Sequence, residues 1–104
     1  MKYDINRPEK ETQDEKEKYV LKLYVTGNTL LSMRAIDNIT RLCEEHFKGQ
    51  YKLNIIDIYH RPSLAWRERI VATPMLLIER PLCHRSFVGD LSNTELLLAE
   101  LKKL

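Results

Sequence analysis

No stretch of about 18 apolar residues occurs anywhere in the chain, which excludes a membrane-spanning helix. The first 18 residues have no apolar core, so no secretory signal is read there and a cytoplasmic protein is expected. Charge of one sign is also lacking. Lys and Arg total 17 against 15 Asp and Glu, a net +2, which gives no warrant for a nucleic-acid or membrane partner. Cysteine is scarce: Cys43 and Cys83 stand 40 positions apart, with no CxxC and no zinc spacing, and the adjacent pair Cys83-His84 cannot readily close on one metal. The three glycines, Gly27, Gly49 and Gly89, form no phosphate-binding loop and all fall at element ends. The histidines are His46, His60 and His84; no Ser/His/Asp order and no paired carboxylate set is recognisable, and His46, near the end of the first helix, is read as a surface residue. The expectation is a protein that is not an enzyme, with no metal and no cofactor.

What is present is one domain behind a charged segment. In residues 1–18 eleven side chains are charged, six acidic and five basic. Such a segment buries too little to offset its ordering entropy, and it is read as a disordered tail. Residues 19–104 carry 12 basic and 9 acidic side chains. The excess is local: Arg61, Arg67, Arg69, Arg80 and Arg85 stand against Glu68 and Glu79. A solvated face and a docking surface for an acidic protein partner are both compatible with that run.

Tyr19 to Thr26 is β-branched and aromatic with one charge, Lys22, as in a strand covered on both faces. A helix follows, capped by Thr29 or Ser32, with Met33, Ile36, Ile39, Cys43 and Phe47 as its apolar stripe. Gly49 stops it, and Tyr51 to Tyr59 reads as a second strand. Strand, amphipathic helix and strand within about 40 residues make a βαβ unit with parallel strands. Beyond His60-Arg61-Pro62, Ser63 can cap a short helix from Leu64 to Val71. Met75 to Glu79 and Arg85 to Val88 read as strands on either side of a turn at Arg80-Pro81. Ser92 to Glu95 has capping-box spacing ahead of a last helix through Leu96, Leu97, Leu98, Leu101 and Leu104.

The resulting order, βαβαββα, fits one sheet with helices on both faces, an α/β thioredoxin-like single domain. Thioredoxins place a reactive thiolate at the start of the first helix. Here that stretch is Gly27-Asn28-Thr29-Leu30-Leu31-Ser32, without a cysteine. Thr73-Pro74 stands where thioredoxin-like folds carry a cis-proline, and Pro74 at least shapes that turn.

The blocks YVLKLYVTGNT (19–29), FKGQYKLNIIDIYHRPSLA (47–65), IVATP (70–74) and VGDLSN (88–93) resemble the KaiB family of circadian clock proteins. The resemblance covers nearly all of residues 19–104. It implies a non-enzymatic protein that binds a KaiC-type ATPase ring, modulates its phosphorylation state and signalling output, and has a sensor histidine kinase as a further partner. It also implies a metamorphic second half: a resting, rearranged form that assembles as a homo-oligomer, dimer or tetramer, or a monomeric thioredoxin-like binding form. The chain departs from the family pattern at Leu30 and Leu31, and it has only Arg85 before the GDLS block. A stress-adaptation role beside a KaiC-like ATPase is therefore as compatible with it as a clock role. A thioredoxin-like redox protein and a stand-alone sensory module for a histidine kinase are the alternatives. The residues expected to matter are Gly89 and Asp90 for the choice between folds, Pro74 for the turn, and Arg61, Arg67, Arg69 and Arg85 for a partner surface. Gly89 at an element junction suits positive φ, and Asp90 can cap a helix beginning just after it. On this reading, if only the resting form needs positive φ at residue 89, Gly89→Ala favours the binding form.

Overall fold

The computed structural model describes residues 18–80 and 85–103. The elements are β1 (Tyr19–Val25), α1 (Leu30–His46), β2 (Tyr51–Asp57), α2 (Ser63–Arg67), β3 (Met75–Arg80), β4 (Arg85–Val88) and α3 (Thr94–Lys103). This is the thioredoxin-like arrangement of the two that the sequence left open. The expected tail lies, but for Lys18, outside the described residues, as do Cys83 and His84.

The four strands form one sheet in the order β2-β1-β3-β4. β1 pairs parallel to β2, with Leu21 opposite Leu53, and antiparallel to β3, with Leu21 opposite Ile78. β4 adds antiparallel to β3, Leu76 opposite Phe87. A strand apolar on both faces takes a central position, because only there are both faces and both edges covered.

Odd-numbered residues of β1 point to one face. Leu21, Leu23 and Val25 pack with Ala35, Ile39, Leu42, Cys43 and Phe47 of and just after α1, and with Leu97 and Leu101 of α3. Burying each such leucine contributes about 1.5–3 kcal/mol. On the opposite face Val20, Tyr24, Leu64 and Met75 are buried. Tyr24 donates its hydroxyl to Glu68 just beyond α2, at 3.4 Å, so the short helix lies over this second face. Burial and then the nearby Glu68 carboxylate push the Tyr24 phenol well above its usual range.

Four sequence expectations need correction. The buried face of α1 is Ser32, Ala35, Ile39, Leu42 and Cys43, whereas Met33 is largely exposed. The stripe is turned by one residue because small side chains, Ser32 and Ala35, let the helix approach β1, and hydrophobicity does not register them. β2 stops at Asp57 rather than Tyr59, because the Asp57 carboxylate turns back to accept the Tyr59 N–H at 2.9 Å.

α2 ends at Arg67, not Val71. Arg69 adopts φ 57, Ile70 N–H bonds the Ala65 carbonyl at 2.9 Å and Arg69 N–H bonds that of Trp66 at 3.4 Å. That pair of bonds is a Schellman stop with arginine where glycine is usual. Last, α3 is capped by Asn93, whose Oδ1 accepts the Leu96 N–H at 3.1 Å, and not by Ser92. Thr29 caps α1 as expected, accepting the Ser32 N–H at 3.2 Å.

Candidate functional site

The β1–α1 loop, the turn before β3 and the loop after β4 meet at one end of the sheet. Asp57 anchors the first of these. Its Oδ1 accepts the Gly27 N–H at 3.0 Å as well as that of Tyr59. The bond from Gly27 is the main reason its carboxyl titrates below the usual range. Thr26 and Thr73 share a hydroxyl–hydroxyl bond of 2.6 Å, which ties the first loop to the second. The Thr73–Pro74 peptide is cis. The Pro74 carbonyl accepts the Gly89 N–H at 2.9 Å, which ties the second loop to the third.

Gly89 has φ 118, and an added Cβ would meet nothing within 4 Å. Asp90 does not cap a helix. Its Oδ1 accepts the Ser92 N–H at 3.1 Å, two residues before α3, while its carbonyl accepts Asn38 Nδ2 of α1 at 2.8 Å. The pair therefore sets how the β4–α3 connection meets α1. A cavity of ≈ 190 Å³ lies here, lined by Phe87, Val88, Leu91, Leu96 and Leu97 among others. It is small against the roughly 300–1,000 Å³ of ordinary cofactor pockets.

The redox chemistry of a thioredoxin has no counterpart among the described residues. Ser32, in the first turn of α1, is buried and accepts the Thr26 N–H at 3.3 Å. Cys43 is wholly buried, and burial, then the neighbouring Glu44 carboxylate, push its thiol up to about 12. A thiol held protonated in a core is a poor nucleophile. Among the described residues no cluster of three or more His, Cys, Asp or Glu side chains is placed to hold a metal ion, and no helix is long and apolar enough to cross a membrane.

The expected arginine surface divides. Arg61, Arg67 and Arg69 are exposed around α2, and among the described residues none of the three has an ion-pair partner. Arg85 is not with them. At the start of β4 it sits opposite Ile78, on the α1/α3 face, and is paired with Glu100 of α3. Side chains alternate along a strand, so position 85 faces away from α2.

Sequence reading did not single out the apolar residues beside the three arginines. Trp66 is 87% exposed and Val71 89%. Tyr59, just ahead of them, is also exposed. The available signal was a tryptophan between Ala65 and Arg67 in a helix too short to bury more than one residue.

The fold is shared with solved structures of low sequence identity. The oxidised mitochondrial thioredoxin 3 of Saccharomyces cerevisiae superposes with a TM-score of 0.68 at 13% identity, covering 92% of this chain and 88% of that one. The N-terminal domain of Synechococcus elongatus SasA gives 0.66 at 22% identity, with 82% and 80% covered. Sequence relatives are nearer. The circadian clock oscillator protein KaiB of Thermosynechococcus vestitus is 46% identical over 86 residues, 83% of this chain and 80% of the relative. The circadian clock protein KaiB3 of Synechocystis is 44% identical over 82 residues, covering 79% and 80%. With the KaiB domain model matching residues 22–102, nearly the whole described body, this chain belongs to the KaiB family.

Proposed function

We propose that this protein is a non-enzymatic adaptor of a clock or stress-adaptation system. It docks on a KaiC-type ATPase ring and modulates its phosphorylation state and signalling output, with a sensor histidine kinase as a further partner. The observation that carries the reading is near 45% identity to circadian clock KaiB proteins over more than three quarters of the chain. Arginines 61, 67 and 69, exposed and without an ion-pair partner among the described residues, supply a face suited to an acidic protein surface. Solvated rim charges act mainly on encounter rate and salt dependence. A redox role through Cys43 is the weaker reading, because Cys43 is sealed in the core.

The test is size-exclusion chromatography and titration with the KaiC-type ATPase of the same genome. Co-elution is expected, with Arg67→Glu weakening binding and flattening its salt dependence. Failure of the folded wild-type protein to bind the ATPase, or reduction of insulin disulfides by it, overturns the reading.

A further inference from the structure

Among the described residues two non-glycine residues have positive φ, Leu91 at 61 and Arg69 at 57. For an L-residue that conformation brings Cβ close to the following carbonyl and is disfavoured. At Leu91 the compensation is burial: its side chain lies in the main core, where lost water contact offsets the strain. Arg69 has no such compensation. Its side chain is exposed and, among the described residues, has no ion-pair partner. It occupies the one position of the Schellman stop where glycine would relieve the strain without losing either closing hydrogen bond.

A strained residue whose side chain is exposed and makes no ion pair among the described residues directs attention to what that side chain does outside the fold. The Arg69 N–H bonds the Trp66 carbonyl, which ties its backbone to that of the most exposed aromatic residue among the described ones. Glu68, the only acid between Arg67 and Arg69, accepts the Tyr24 hydroxyl of the sheet. The segment therefore presents an exposed indole and an exposed Val71 within a stretch that also carries the exposed Arg61, Arg67 and Arg69. Tryptophan and arginine are the residue types most enriched where binding energy concentrates at protein interfaces.

We infer that Trp66 is the anchor of a protein-docking face, and that Arg69 is a specificity-determining residue beside it, held by its left-handed backbone to meet a partner carboxylate. The partner surface is one with an apolar recess for the indole and acidic residues at its rim, as the charge of the face requires. The inference rests on the adaptor reading and names which residues of the face carry it.

Four variants of the full chain test it, each measured by thermal melt and by titration with the same KaiC-type ATPase. Arg69→Gly is the decisive one. It should raise Tm by about 2–5 °C, through relief of the left-handed strain. At the same time it should weaken binding on the order of tenfold. A merely structural residue would not move those two readouts in opposite directions. Stabilising the fold described here would by itself raise the competent fraction and tighten apparent binding. Arg69→Lys should keep the wild-type Tm and most of the affinity, and Arg69→Ala should lose affinity without gaining stability. Trp66→Ala should weaken binding roughly thirtyfold with Tm nearly unchanged, since the ring is uncovered.

Full affinity in Arg69→Gly or in Trp66→Ala overturns the inference while leaving the adaptor reading standing. An unchanged Tm in Arg69→Gly removes the strain argument. Absence of wild-type binding overturns both readings.

Discussion

Gly89 is the residue at which the structure removes the condition behind a sequence-based sign, since the thioredoxin-like form itself has positive φ there. With φ 118 it lies outside even the left-handed helical well that asparagine tolerates, in a region open essentially to glycine. An alanine Cβ there would meet nothing within 4 Å, so the cost of Gly89→Ala is purely that of the backbone. Forcing a non-glycine residue into such a conformation costs about 1–3 kcal/mol. The chain can avoid part of this by relaxing φ, but the Gly89 N–H is bonded to the Pro74 carbonyl at 2.9 Å and resists that movement. For a domain of this size each kcal/mol moves Tm by about 4–8 °C, so Gly89→Ala should melt about 5–15 °C below wild type. The thioredoxin-like form is thus penalised, and each kcal/mol lowers its population about fivefold against any form that does not need positive φ at residue 89. Binding to the ATPase should weaken accordingly. Circular-dichroism melts, with NMR spectra and size exclusion of both proteins at equal concentration, measure the effect. A variant that melts at or above the wild-type temperature, with its spectrum unchanged, would refute the reasoning.

Cys43 should resist alkylation in the native protein at pH 8 and react only on unfolding, as mass spectrometry after iodoacetamide would read. Because its folded pKa is raised to about 12 from 9.0, its stabilising share is complete below about pH 9 and is lost as pH climbs towards 12. Cys43→Ala should flatten that alkaline limb in pH-dependent melts. At the last helix, Asn93→Ala should cost about 1 kcal/mol by chemical denaturation, since Asn93 makes the cap. Ser92→Ala should cost much less, and the reverse ranking would return the cap to Ser92.

Much of the fold was legible because it is written in local periodicity. An apolar run from Tyr19, an amphipathic helix and a second strand can satisfy their backbones and bury their faces in few other ways, and β1 is central for the reason its composition suggested. The thiol-free start of α1 could likewise be read directly from Leu30, Leu31 and Ser32. Side-chain contacts remote in sequence decided the rest. Ser32 and Ala35 form the buried face of α1 only because β1 lies against them, and hydrophobicity cannot see a small residue chosen for close approach. The early end of α2 depends on an arginine adopting a backbone conformation that propensity assigns to glycine. Arg85 resembled its neighbours in sequence, yet strand alternation and Glu100 of α3 hold it on the opposite face. Local sequence sets what each element can be, since propensity and pattern act over a few residues. Which groups meet at the end of the sheet, and which arginine pairs with the last helix, follows from tertiary packing, because each partner there comes from a different element.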